Sequence, residues 1–248
     1  MAAPLLHVDR LARRYTRGLL RRQVTFSLEA DFTIEGPSVV GVMGPNGSGK
    51  TTLFELITGS NAPDAGRVLI DGQDVHAVRY GERDRVAIHY HQSYKVRRFK
   101  RTRPEALMER ARSEAPRVHL FDEPQFNTQD GYIGFMLDFF RKLRAEGRLV
   151  FLCLHPNEPW HLEILREVCE RFIFVERGRL THGASLAELA RDERVRAYLG
   201  RLAAPATAEG GFSPGRASAG MTRSTSARAL TSSSARAAWA ASATQPSM

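Results

Sequence analysis

The segment Gly44-Pro45-Asn46-Gly47-Ser48-Gly49-Lys50-Thr51-Thr52 limits what this chain can fold into more than any other. It fits the pattern G-x-x-x-x-G-K-[ST], and it stands where that pattern has a physical meaning. Before it, SVVGVMG is a continuous apolar run ended by glycine, as expected for a strand buried on both faces. After it, Lys50 to Gly59 reads as a helix. Glycines in such a turn let successive backbone N–H groups point inward around a phosphate without Cβ clashes. The helix that follows adds the positive end of its dipole. Gly44, Pro45, Asn46, Gly47, Ser48, Gly49, Lys50, Thr51 and Thr52 are therefore the expected phosphate-binding residues. Lys50 is placed to reach β- and γ-phosphates, Thr51 to offer its hydroxyl to Mg²⁺, and Thr52 to assist at the α-phosphate.

A second stretch points to the same chemistry. Val118-His119-Leu120-Phe121-Asp122-Glu123 is an apolar strand ending in two carboxylates. Side chains alternate along a strand, so the two diverge at its C-terminal end, the edge where open α/β sheets bind ligands. Asp122 is expected to hold Mg²⁺ through its water, and Glu123 to polarise an attacking water as a general base. The surrounding pattern agrees. LLHVDRLARRY and QVTFSLEADFTIEG alternate as antiparallel strands, and RVLIDGQDV reads as a hairpin turning at Asp71-Gly72. RVAIHYH, VHLFDE, LVFLCLH and FIFVERGRLTHG are further strands. Helices are expected over Pro104–Glu114, Tyr132–Ala145 and, opened by Ser185, SLAELARDERVRAYLG. The fold class is α/β: a P-loop NTPase with a mostly parallel sheet flanked by helices and an N-terminal antiparallel β subdomain.

Composition divides the chain. Residues 201–248 are rich in Ala, Ser and Thr and poor in large apolar residues, and are expected to form a disordered tail after an ordered domain at 1–200. The net charge of +9 is concentrated in two places. The run SYKVRRFKRTR (93–103) holds six basic residues and no acidic one, and the tail carries five Arg and one Glu. The remainder is close to neutral, so partner chemistry belongs to those segments. The basic run suits a solvated loop, a nucleotide contact, anionic lipid headgroups or an acidic partner. Nucleic acid is not the expected partner, although Tyr94 and Phe99 interleave with the basic residues. Two cysteines, Cys153 and Cys169, both in apolar surroundings, indicate buried thiols and a reducing compartment. No apolar run approaches the roughly 20 residues that span a bilayer, and the start lacks a secretory pattern. His7, His89, His91 and His161 form no metal-ligand pattern.

Together these residues resemble the ATPase subunit of ATP-binding cassette (ABC) transporters, over about Leu5–Gly200. GPNGSGKTTL is the form of the loop typical of that family, and Asp122-Glu123-Pro124 is similar to its Walker B with the catalytic glutamate. The resemblance implies ATP and Mg²⁺ as cofactors. It assigns adenine stacking to Tyr15, sensing of Mg²⁺ and the water to Gln92, and contact with the γ-phosphate to His155. On this basis the catalytic residues are Glu123, His155 and Gln92, and the metal residues Thr51, Gln92 and Asp122. The resemblance also implies MgATP hydrolysis powering a separate membrane permease, at the inner face of the cell membrane.

The sequence departs from the family in one region. Counting back from Asp122, the LSGGQ signature falls on Arg98-Phe99-Lys100-Arg101-Thr102, which supplies neither serine nor glycine. Only thirty residues separate Gln92 from Asp122. The helical subdomain is therefore expected to be truncated near 93–115. The loop QFNTQDG also differs from the usual one, with Asp130 one position beyond the expected aspartate. Slow turnover by the chain alone follows, relieved by Arg98, Lys100 or Arg101 or by a second ATPase subunit carrying the signature. Two rival readings remain: a degenerate ATP sensor with little turnover, and an ABC-type ATPase acting on nucleic acid.

Overall fold

The computed structural model describes residues 3–18, 23–90, 116–124, 132–156 and 159–203. The expected helix at 104–114, the truncated subdomain at 93–115, the loop with Asp130 and the tail from residue 204 lie outside the described residues. Long alternating strands at the start pair with one another. β1 (Leu6–Arg17) runs antiparallel to β2 (Gln23–Ile34) and, on its other edge, to β4 (Ala65–Ile70), with β5 (Gln73–Asp74) completing the order β2-β1-β4-β5. The turn between β4 and β5 sits at Asp71-Gly72, as read from the sequence.

The second sheet has six strands in the order β10-β9-β3-β8-β7-β6. β3 (Val39–Met43), β6 (Ala87–Tyr90), β7 (Val118–Asp122), β8 (Leu149–Cys153) and β9 (Arg171–Glu176) are parallel, and β10 (Arg179–Gly183) closes the edge antiparallel to β9. Every residue of β3, β7 and β8 is buried, which explains why those stretches are largely apolar, and the one polar residue before their C-terminal ends, His119 of β7, has its ring nitrogens beside the Tyr90 hydroxyl and the Pro116 carbonyl. Their alternate residues serve two cores. Val40, Val42, Phe151 and Ile173 face Leu6, Val8 and Leu28 of the antiparallel sheet, together with Leu53, Phe54, Leu56 and Ile57 of α1 (Lys50–Ile57). Val39, Met43, Phe121, Val150 and Leu152 face the other way. They meet Phe139, Phe140 and Leu143 of α2 (Tyr132–Ala145) and Ile164 and Leu165 of α3 (Pro159–Val168).

Three local readings change. Helix α3 and a 3₁₀ turn at Tyr80–Arg85 were not anticipated, although Pro159 stands at a helix's first position, where its missing N–H costs nothing. The single helix expected after Ser185 is two, α4 (Leu186–Leu189) and α5 (Glu193–Ala203). Ser185 does open the first, accepting from the Glu188 N–H at 3.1 Å. The Asp192 carboxylate then accepts from the Arg194 N–H at 2.9 Å, and this local bond starts a new helix instead of continuing the old one. The same arginine's side chain holds the Asp192 carboxyl down at about 2. The expected domain boundary at residue 201 falls within α5. Both cysteines are buried and free. No helix of the described residues is long and apolar enough to cross a membrane.

Gly178, in the turn between β9 and β10, knits the sheets to the glycine-rich loop. Its N–H donates to the Ser48 carbonyl and its carbonyl accepts from the Glu29 N–H, both at 2.9 Å. It holds φ at 73°, and a Cβ there would collide with the Ser27 carbonyl. Gly178→Ala should therefore lower unfolding free energy by roughly 2–4 kcal/mol through left-handed strain and overpacking. Urea denaturation measures this; an unchanged midpoint would show that the turn relaxes freely.

Candidate active site

The parallel strand order gathers the chemistry at one edge. β8 lies between β3 and β7, with Val42 paired to Cys153 and Cys153 to Asp122. The C-terminal ends of all three strands therefore open side by side, with the glycine-rich loop after β3, Asp122-Glu123 at the end of β7 and His155 just beyond β8.

The loop's shape is set by glycine. Gly44, Gly47 and Gly49 have φ of 148°, 73° and 111°. At Gly44 a Cβ would collide with the Val175 carbonyl of β9, so no other residue lets the chain leave β3 this way. Helix α1 then opens with no side-chain cap and no acidic residue in its first turn. Its free amides and dipole remain available to an anion. Lys50 is buried, with its Nζ donating to the carbonyls of Gly44 at 2.8 Å and Pro45 at 3.0 Å. Among the described residues, the buried Ser48 Oγ and His155 Nδ1 have no hydrogen-bond partner. Buried polar atoms without partners are costly, and a phosphate is the group that this cradle of N–H, hydroxyl and ammonium would satisfy.

Next to the cradle stands the carboxylate pair. Thr51 Oγ1 donates to Asp122 Oδ2 at 2.9 Å, joining α1 to β7. Burial pushes the Asp122 carboxyl up, but the neighbouring His89 imidazole and the Thr51 hydroxyl outweigh it and leave the pKa below the ordinary value. Burial also pushes the Cys153 thiol well up, so it stays an S–H donor. An ionised carboxylate and a hydroxyl in this arrangement suit an oxygen-seeking cation such as Mg²⁺. Glu123 diverges from its neighbour: Asp122 is buried, Glu123 half-buried. Its φ is 49°, a strained value for a residue with a side chain, held by its N–H donating to the Cys153 carbonyl at 3.0 Å.

Tyr15 lies on β1, where Asn61 Nδ2 donates to its hydroxyl at 2.7 Å. Its ring is 6.0 Å from Phe26, and Phe26 lines the wall beside Gly49, so Tyr15 neighbours the cradle through one intervening ring. The Arg13 guanidinium stands over the Tyr15 ring at 5.2 Å from its centroid. A base stacking on Tyr15 must use the opposite face or displace Arg13. Gln92 and the segment 98–102 lie outside the described residues.

Sequence reading missed three participants. His89 Nε2 lies 3.4 Å from Asp122 Oδ2, and the buried Cys153 of β8 pairs in register with Asp122. Tyr198 of α5, its ring 5.2 Å from Phe174, directs its hydroxyl at the Gly44 carbonyl at 3.4 Å. Strand alternation puts His89 and Asp122 on the α1 side of β6 and β7, but that signal needs the strand order. Among the described residues no group of three or more His, Cys, Asp or Glu could hold a metal, so a cation here depends on further oxygen ligands.

The "ABC transporter" family model matches residues 28–129, which include the glycine-rich loop and the carboxylate pair. The thiamine import ATP-binding protein ThiQ of Brucella abortus is 27% identical over 225 residues, covering 71% of this chain and 91% of ThiQ. The lipoprotein-releasing system ATP-binding protein LolD of Xylella fastidiosa is 34% identical over 86 residues, and there the chain spans only 35% of the relative. In fold, the chain is similar to the ADP conformation of MJ1267, an ATP-binding cassette of an ABC transporter. The TM-score is 0.58 at 17% identity, over 80% of this chain and 99% of that one. The cradle, the carboxylate strand and these likenesses converge: residues 28–129 match the ABC transporter family model, and the chain has the fold of an ATP-binding cassette.

Proposed function

We propose that this chain is an ATP-binding and ATP-hydrolysing subunit that powers a separate membrane permease from the cytoplasmic face. The observation that carries the proposal is the 2.9 Å bond from Thr51 to Asp122, which unites the phosphate cradle with the carboxylate strand in one site. Relatives named for thiamine import and for lipoprotein release support a transporter role while differing in cargo.

In the reaction, Lys50 exchanges the Gly44 and Pro45 carbonyls for the β- and γ-phosphates of ATP, so that its ammonium meets negatively charged oxygens in place of neutral ones. The loop amides and Ser48 hold the remaining phosphate oxygens. Thr51, Asp122 and Gln92 would hold Mg²⁺, which when bound neutralises charge on the phosphates. Glu123 accepts a proton from the attacking water, and His155 steadies the γ-phosphate. Tyr15 supports the adenine. The 225-position alignment with ThiQ uses only 71% of this chain, so that relative has stretches without a counterpart here. That agrees with a truncated helical subdomain. Since Arg98–Thr102 supply no signature serine or glycine, turnover should be slow alone and rise with a second ATPase subunit that carries the motif.

Lys50→Ala removes the cationic donor and should weaken binding of a fluorescent ATP analogue by about 10- to 100-fold. Equal affinity in both proteins would contradict the cradle. Glu123→Gln should keep that affinity and lower steady-state ATP hydrolysis by about 100-fold or more. Hydrolysis that is indifferent to this change, with and without a membrane permease, would instead favour the sensor.

A further inference from the structure

The carboxylate of Asp122 is held from more than one side. Thr51 Oγ1 of α1 and His89 Nε2 of β6 both address the same oxygen, Oδ2, at 2.9 and 3.4 Å. The side chains of His89 and Asp122 are only 11% and 4% exposed, so bulk water does little to screen this contact. His89 is itself fixed. Its ring stands edge-on to Phe54 of α1 at 5.6 Å, and its backbone pairs with Leu120 one turn of the pleat before Asp122. Phe54 in turn is fully buried against Phe151. The imidazole is thus clamped between the helix that follows the phosphate cradle and the strand that carries the carboxylate.

We infer that His89 is a positioning residue for the divalent cation that accompanies the nucleotide. The Thr51 hydroxyl bonds Oδ2 and the imidazole Nε2 stands 3.4 Å from the same oxygen, so a carboxylate that turned about its Cβ–Cγ bond would lose both contacts. Its remaining lone pairs keep a constant direction toward the cation's ligand sphere. This is the role that outer donors play around metal-binding carboxylates, where their loss weakens metal affinity about 10- to 100-fold. His89 does not touch the nucleotide in this scheme; it acts through Asp122. The inference rests on the nucleotide-linked cation site proposed above.

The test uses Mn²⁺ as the probe and ADP as the nucleotide, with free Mn²⁺ followed by electron paramagnetic resonance on the full chain. Wild-type protein with ADP should take up Mn²⁺ saturably; absence of uptake would refute the cation site itself. His89→Phe keeps an aromatic ring beside Phe54 but donates no hydrogen bond. It should raise the half-saturating Mn²⁺ concentration about 10-fold or more. His89→Gln restores a side-chain N–H and should return affinity to within about threefold of wild type. ADP affinity measured in chelator, without metal, should be the same in all three proteins. Undiminished Mn²⁺ affinity in His89→Phe overturns the inference. So does a parallel loss of metal-free ADP affinity in both variants, because that pattern marks a packing role only.

Discussion

Backbone pairing of β8 with β3 on one side and β7 on the other is the constraint on which the site depends. Parallel strands share a direction, so their C-terminal ends must open at one edge of the sheet. That geometry alone brings the loop after Met43, the carboxylates at 122 and 123, and His155 into one neighbourhood, although a hundred residues separate the first from the last. The apolar character of the three strands follows from the same arrangement. Each is covered on both faces, one by α1 and the antiparallel sheet, the other by α2 and α3. Apart from His119 in β7, the polar side chains of these strands stand at their C-terminal ends.

Within that edge the molecule trades local strain against reach. Gly44 leaves β3 in a conformation that Val175 forbids to any side chain, and Glu123 accepts a left-handed backbone after its buried neighbour. For Glu123, which carries a side chain, such a conformation costs about 1–3 kcal/mol and persists where surrounding bonds over-determine it. Here the bonds are visible: Glu123 to the Cys153 carbonyl, and Gly178 to the Ser48 carbonyl. Lys50 illustrates the electrostatic side. Its buried ammonium is satisfied by two carbonyls of its own loop, neutral acceptors that an anion would improve upon.

Much of this was legible in the sequence because the informative residues are contiguous. The glycine spacing from 44 to 49, the lysine and threonine that follow, and the apolar run ending at Asp122 each carry their meaning in a few residues. The α/β alternation likewise gave the mostly parallel sheet and the antiparallel start. What escaped depends on contacts between distant segments, or on local competition that composition hides. His89 becomes meaningful only once β6 is known to pair with β7, and Tyr198 only once α5 is known to lie against the loop. The break between α4 and α5 turns on one carboxylate, Asp192, bonding a nearby amide in preference to a continuous helix. Tyr15 was assigned by resemblance, and the guanidinium above its ring was invisible without the strand register that puts Arg13 on the same face.

The hydroxyl of Tyr198 has an effect on the energetic balance of the empty and filled cradle. Were Lys50 to turn toward a phosphate, the Gly44 carbonyl would lose its 2.8 Å donor, and a stranded buried carbonyl would subtract from the gain. Tyr198 stands by as a deputy, already aimed at that oxygen from the last described helix. The last described helix would thereby share in the energetics of any phosphate that the loop took up.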